Sequence, residues 1–119
     1  MSKLAEQLAA GRFVVTAEIA PPKGIDISCA LAKARLMKGL AAVNVTDNQG
    51  ANMRLSPLAL SALLLREGIE PILQLTCRDR NRLALQSDLL GAAALGIENL
   101  LLLSGDHACF GDHPQARSV

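Results

Sequence analysis

The chain has 119 residues, half of them hydrophobic, and its 12 basic and 11 acidic residues give a formal net charge of +1. This length suits a single domain with its own core. The balanced charge and the near absence of aromatic residues disfavour nucleic-acid binding. The apolar runs are too short to cross a membrane. The three cysteines form no C-x-x-C pair, which favours a reducing cytoplasm.

Glycines recur along the chain at intervals of about 28 residues, at Gly11, Gly39, Gly68 and Gly96. Each one follows a helical pattern and precedes an apolar run, as is typical of a left-handed residue that ends a helix. In chain order, the predicted elements are helix 2–10, strand 13–19, helix 28–38, strand 42–46, helix 57–67, strand 71–76, helix 82–95 and strand 99–103. The expected N-caps include Ser56, ahead of a proline in the first turn, and Asp79 or Asn81.

Strands and helices that alternate at this period predict an α/β protein with a parallel sheet and right-handed crossovers. The strands are nearly continuous apolar runs, as expected when helices cover a parallel sheet. An open doubly wound sheet and a closed (β/α)8 TIM barrel both fit this pattern. A barrel needs about 250 residues, and here the fourth strand has no following helix. We therefore expect residues 1–119 to be the N-terminal half of one barrel, covering about its first four βα units and containing no second domain.

Side-chain parity places polar residues on one face of the strands, near their carboxyl ends. Active sites of barrels and of open α/β sheets lie at that end. Strand ends are also polar simply because loops begin there, but that explanation accounts poorly for Glu18, a carboxylate between apolar strand residues. The residues predicted to share this face are Glu18, Asn44, Thr46, Gln74, Thr76, Ser104 and Asp106.

Four short motifs stand at the predicted strand ends. They are E-I-A-P-P-K from Glu18, N-V-T-D from Asn44 with G-A-N from Gly50, Q-L-T-C from Gln74, and L-S-G-D from Leu103. In this order and spacing they resemble the strand ends of methylenetetrahydrofolate reductases, over essentially the whole chain. Gln74 departs from the pattern, because several relatives have histidine at that position.

The resemblance implies a homo-oligomeric, cytoplasmic FAD enzyme of one-carbon and methionine metabolism. NAD(P)H would reduce the flavin, which would then reduce 5,10-methylenetetrahydrofolate to 5-methyltetrahydrofolate. It implies that Glu18 is the acid that assists opening of the folate ring. It also implies that Asp106 lies beside the flavin and the folate, so both carboxylates would contact the substrate. The flavin contacts implied are Thr46, Asp47, Gln74, Ser104, Gly105 and Asp106. The fragment alone is expected to be inactive.

Other interpretations of the same residues stay open. An aldolase-like or lyase-like barrel enzyme could use Glu18 and Asp106 as acid and base, and an inactive barrel fragment could act only as an interaction module. A metal site in the two Gly-Asp-His triplets that begin at Gly105 and Gly111 is disfavoured, because the spacing matches no common zinc pattern. The charges from Arg78 to Arg82 are interpreted as solvated helix-start residues, with an anionic ligand as the alternative.

Overall fold

A computed structural model describes residues 1–118. It contains a parallel four-stranded sheet with the strand order β1-β2-β3-β4. This confirms the predicted α/β class. Two short 3-10 turns, Gln49–Ala51 and Ala108–Phe110, lie in the loops after β2 and β4. Within the described residues, no helix has the length and hydropathy needed to cross a membrane. In chain order the elements are α1 Lys3–Ala9, β1 Thr16–Ile19, α2 Ser28–Arg35, β2 Ala42–Val45, α3 Pro57–Arg66, β3 Pro71–Thr76, α4 Arg82–Ala94 and β4 Leu100–Leu103.

The caps of the two longest helices form as the sequence predicts. The Ser56 hydroxyl accepts a hydrogen bond from the Ala59 N–H at the start of α3, and the Asn81 side chain accepts one from the Ala84 N–H at the start of α4. Asn81, and not Asp79, is therefore the cap of α4. Each cap satisfies a backbone donor that a helix start leaves without a partner.

Two predictions about α2 and the glycine after it are wrong. The helix ends at Arg35, three residues before the predicted end, and the chain continues as a turn. Gly39 is not left-handed, in contrast to Gly11, Gly68 and Gly96, which all have a positive φ. The longer connection brings the chain back to the sheet without a left-handed residue directly after the helix.

Strand β1 is shorter than predicted, because its partner β2 begins only at Ala42, which pairs with Thr16. Residues 13–15 therefore lie before the sheet, and Phe13 is 95% exposed. Thr46 and Asn99, which the prediction included in the second and fourth strands, fall just outside β2 and β4. The strand centres match the prediction, while hydrogen-bonded pairing decides their ends.

The register of β4 corrects the predicted side-chain faces. Leu101 pairs with Gln74 and Leu103 pairs with Thr76, so both leucines lie on the polar face of the sheet. Ser104 has the opposite parity and reaches the candidate site only because it follows the end of the strand. The side chains of β4 are all exposed, and this strand forms one edge of the sheet.

The apolar core lies between the sheet and the helices α2, α3 and α4. Strand residues of one parity form it together with small and aliphatic helix residues, so the polar face of the sheet is the face opposite the helices. The buried core residues include Ile19, Ala34, Val43, Val45, Leu60, Leu64, Leu73, Leu75 and Ala92.

The amino-terminal end of the sheet is closed by α1. The Glu70 carboxylate accepts hydrogen bonds from the N–H groups of Lys3 and Leu4, at 3.1 and 3.0 Å, and from the Asn99 amide at 2.8 Å. Ser2, the N-cap of α1, donates to Asn99 at 2.7 Å. A carboxylate at a helix N-terminus also meets the positive end of the helix dipole. Glu70 therefore fixes α1 to the sheet.

We expect replacement of Glu70 by glutamine to weaken the fold by about 1–2 kcal/mol at neutral pH and to flatten its dependence on pH. Burial raises the pKa of the Glu70 carboxyl, but the hydrogen bonds from Leu4, Asn99 and Lys3 outweigh burial and hold the pKa below its ordinary value of 4.5. The carboxylate therefore stabilises the fold above that value. Its contribution is lost as the pH falls through the lowered pKa of the folded state.

Thermal unfolding followed between about pH 6 and about pH 3 measures this effect. The melting temperature of the wild type should fall more steeply with acidification than that of Glu70→Gln. Glu98→Gln is the control, since Glu98 lies at the same end and, among residues 1–118, forms an ion pair only with the exposed terminal amine. Equal slopes for the wild type and Glu70→Gln would rule out this role for Glu70.

Candidate active site

A cleft of about 360 Å³ opens at the carboxyl ends of the strands. This volume lies within the range of small-molecule sites. All seven residues that the sequence predicts for catalysis, cofactor or substrate line this cleft. The structure therefore brings together Glu18, Thr46, Asp47, Gln74, Ser104, Gly105 and Asp106, and adds Gln49, Thr76, Arg78 and Leu103 to them.

Hydrogen-bonded side chains cross three strands below the cleft. The Gln74 amide donates to the Asn44 side-chain oxygen at 3.3 Å, and the Asn44 amide donates to the Ala17 carbonyl at 3.3 Å. Gln74 is 8% exposed, so these contacts orient a buried side chain. The amide that lines the cleft is therefore held in place before any ligand arrives.

Glu18 lies at the end of β1, on the polar face of the sheet, and is exposed. The sequence predicts a carboxylate that is costly among apolar strand residues at this position. That expectation is wrong for residues 1–118, because the face that carries Glu18 is open. Within this part of the chain the Glu18 carboxylate forms no salt bridge, so it is available to a ligand in the cleft.

Two threonine hydroxyls in the cleft are buried without a partner. Thr46 and Thr76 are 4% and 2% exposed, and neither Oγ1 atom has a hydrogen-bond partner within residues 1–118. Buried polar groups are rarely left in this state, because the loss of water costs free energy that a new hydrogen bond must offset. Both hydroxyls therefore keep an unused hydrogen-bonding capacity beside the cleft. Thr46 is one of the cofactor contacts predicted from the sequence. Thr76 is predicted to lie on the same face, without a role in binding.

Asp47 is part of the protein's internal network. Its carboxylate accepts from the Thr76 N–H at 2.8 Å and forms an ion pair with Arg80. The Asp47 side chain is fully buried. Arg80 also pairs with Asp88 at 2.9 Å. Asp47 lines the cleft as predicted, but its carboxylate is already engaged, so the loop after β2 is tied to the end of β3.

Arg78 is also an internal residue, and its side chain is 4% exposed. Its guanidinium binds the Asp79 carboxylate, with Nη2 and Oδ2 2.7 Å apart. The hydrogen bond and the charge of Asp79 raise the pKa of Arg78, and the reverse effect lowers the pKa of Asp79. The prediction of solvated charges is therefore wrong for Arg78 and Arg80. The sequence alone did not indicate that these arginines turn inward.

The loop after β4, residues 104–113 (the β4 loop), packs on the loop after β2, residues 46–54 (the β2 loop). The Asp106 carboxylate accepts from the Gly50 N–H at 2.8 Å. Gly105 has a φ of +83°, and a Cβ atom there would lie 3.0 Å from both the Arg78 guanidinium and the Thr76 methyl carbon. A side chain at position 105 would therefore press on protein atoms, while glycine fits without such contacts.

The second Gly-Asp-His triplet binds the same β2 loop. The Asp112 carboxylate accepts from the Met53 N–H at 2.6 Å, and the Asp112 N–H donates to the Ala51 carbonyl at 3.2 Å. A Cβ atom on Gly111 would lie 2.0 Å from that carbonyl oxygen, so only glycine fits. In the described part of the chain, no group of three or more His, Cys, Asp or Glu side chains is arranged to hold a metal.

Comparison with known proteins identifies a family for this chain. The sequence model of the methylenetetrahydrofolate reductase family matches residues 3–118, which is nearly the entire chain. No curated protein matches the chain. The family match extends from the first turn of α1 to beyond the β4 loop and includes every residue that lines the cleft. The chain therefore belongs to the methylenetetrahydrofolate reductase family.

Proposed function

We propose that this chain forms the N-terminal half of a (β/α)8 barrel that binds FAD and reduces 5,10-methylenetetrahydrofolate to 5-methyltetrahydrofolate, with NAD(P)H as the electron donor. Family membership supports the folate chemistry. The open edge of β4 supports continuation of the sheet, because four exposed leucines on an edge strand favour pairing with a further strand. In this proposal the protein works as a homo-oligomer on a small-molecule folate.

The unpartnered hydroxyls of Thr46 and Thr76 carry the proposal of a flavin site. The isoalloxazine ring of a flavin has carbonyl oxygens and ring nitrogens along one edge, which suit hydroxyl and amide partners. The oriented Gln74 amide lies in the same cleft. These residues fit the group, and in our proposal Thr46, Thr76 and Gln74 bind the polar edge of the ring. Ser104 and Gly105 lie against it.

In this proposal two carboxylates act on the folate in different roles. Bound FAD would supply the hydride. Glu18, exposed at the cleft and free of ion pairs within residues 1–118, donates a proton to the ring nitrogen that leaves when the five-membered folate ring opens. Asp106 contributes a negative charge that favours the cationic form of the opened folate. Asp47 acts through its ion pair with Arg80, which holds the β2 loop.

We expect Thr46→Val and Thr76→Val each to weaken FAD binding by about tenfold without destabilising the protein. Valine keeps the shape of threonine and removes only a hydroxyl that has no partner. Titration with FAD of the full-length protein, which contains the complete proposed barrel, is followed by flavin fluorescence and gives the dissociation constants; the activity tests use the same full-length protein. Ser61→Ala is the matched control, because the Ser61 hydroxyl is equally buried and unpartnered within residues 1–118 but lies in α3, in the core away from the cleft.

A second step tests the reaction itself. The bound flavin is reduced, 5,10-methylenetetrahydrofolate is added, and the oxidised absorption band is followed. Return of the band supports the proposed function. Binding of FAD with no return of the band would leave a flavin barrel with another oxidant. Failure of the wild type to bind FAD would overturn the flavin site and favour the aldolase-like use of Glu18 and Asp106.

A further inference from the structure

The Arg78 guanidinium lies where three loops meet. It donates to the Asp106 carbonyl in the β4 loop at 3.0 Å and to the Asn48 carbonyl in the β2 loop at 3.4 Å. Its remaining donors face the carboxylate of Asp79, in its own loop after β3. One nearly buried side chain therefore joins the loops that follow three neighbouring strands.

Two contacts hold Asp106, one at its backbone carbonyl and one at its side-chain carboxylate. Arg78 binds its backbone carbonyl directly, and the Gly50 N–H binds its carboxylate at 2.8 Å. Gly50 belongs to the β2 loop, which Arg78 also binds through Asn48. The direction of the Asp106 carboxylate therefore depends on Arg78 through two separate paths.

The β2 loop needs contacts from outside the loop to keep its backbone conformation. Asn48 and Ala51 have φ angles of 44° and 59°, in the left-handed region that residues other than glycine seldom adopt. Such conformations persist only where surrounding contacts enforce them. The bond from Arg78 to the Asn48 carbonyl is one of these contacts, and it lies two residues from the N–H group that orients Asp106.

We infer that Arg78 is a positioning residue that sets the direction of the Asp106 carboxylate in the cleft. The catalytic part of this inference rests on the proposed function, which places Asp106 beside the flavin and the folate. The planar guanidinium offers five N–H donors in a fixed fork, so it can serve Asp79, Asn48 and Asp106 together. A lysine ammonium at this position keeps the charge but lacks the fork.

Amide hydrogen exchange at Gly50 tests the positioning without flavin or folate. In Arg78→Met we expect the Gly50 amide to exchange about tenfold faster or more, while the core amide of Leu64 keeps its rate. Arg82→Met is the control, because Arg82 is exposed and makes no side-chain hydrogen bond within residues 1–118. Arg78→Lys, which keeps the ion pair with Asp79, should lie between wild type and Arg78→Met. An unchanged Gly50 rate in both variants would overturn the inference.

A double-mutant cycle in the folate reaction tests the catalytic consequence. Arg78→Met should slow the oxidation of reduced flavin by about 10²-fold, which is typical of a small misplacement of a reacting group. If Arg78 acts through Asp106, the Arg78→Met/Asp106→Asn double variant should be no slower than Asp106→Asn alone. Losses that multiply would show that Arg78 acts elsewhere. A wild type that fails to react with folate would overturn the proposed function and leave the Gly50 result standing.

Discussion

Replacing Glu18 with glutamine is expected to slow the oxidation of reduced flavin by 5,10-methylenetetrahydrofolate by about 10²–10⁴-fold. Glutamine has nearly the same shape as glutamate but cannot donate a proton near neutral pH. The Glu18 side chain is exposed, so the substitution should cost little stability. FAD affinity should also stay close to the wild-type value, because the flavin contacts proposed here lie on β3 and in the loops after β2 and β4.

Stopped-flow absorbance on reduced protein mixed with the folate measures this step. Glu6→Gln is the matched control, because Glu6 is an exposed glutamate on α1, at the opposite end of the sheet. A Glu18→Gln protein that binds FAD and reacts as fast as the wild type would remove Glu18 from the acid role. The carboxylate would then have to act as a binding group.

Replacing Asp47 with alanine is expected to lower the free energy of unfolding by about 3 kcal/mol. The loss leaves the Thr76 N–H without its acceptor and leaves Arg80 with only Asp88 as an ionic partner. Removing one member of a buried pair is more damaging than removing both, because a single charge is then left uncompensated. Urea denaturation gives the free energies directly.

The Arg80→Met change separates these effects. The Asp47→Ala/Arg80→Met double variant should be less destabilised than the sum of the two single variants. Asp26→Asn serves as a control, because Asp26 is an exposed carboxylate whose hydrogen bonds, in the described part of the chain, come only from Ser28. A loss below about 0.5 kcal/mol for Asp47→Ala would mean that the ion pair does not hold the β2 loop.

Most of the fold was predictable, because local signals agreed with one another. Ser56 and Asn81 cap their helices through short-range hydrogen bonds, and Gly68 and Gly96 end α3 and α4 in the left-handed conformation. These features depend on a few neighbouring residues, which a sequence displays directly. The strands alternate with the helices at a regular interval, and this period predicted that the strands of the sheet are parallel.

The register of β4 was not predictable in the same way. Leu100 to Leu103 carry no alternation of polar and apolar residues, so nothing in the strand itself selects its inner face. Pairing with β3 fixes the faces, because Leu101 aligns with Gln74 and Leu103 with Thr76. Assigning the side-chain faces of β4 from Ser104 alone therefore places each of these leucines on the wrong face of the sheet.

The contents of the cleft were predictable, but the connections beneath it were not. Motifs at strand ends identified Glu18, Thr46 and Asp106, because parallel strands bring their carboxyl ends together. The partners of Asp47, and the two loop carbonyls that Arg78 binds, lie 28 to 33 residues away in sequence. An arginine that will bind a carbonyl of a distant loop has no local pattern to distinguish it from a solvated one.

The neighbour-by-neighbour order of the sheet also has a consequence for the time course of folding. Each strand pairs with the next one along the chain, so every pairing closes a loop of similar and moderate length, at a modest cost in entropy. The β2 and β4 loops follow strands that are not adjacent, so their contact requires β3 to be in place between those strands. Much of the hydrophobic collapse can therefore occur before the cleft forms. A chain with a complete sheet can still lack an assembled site.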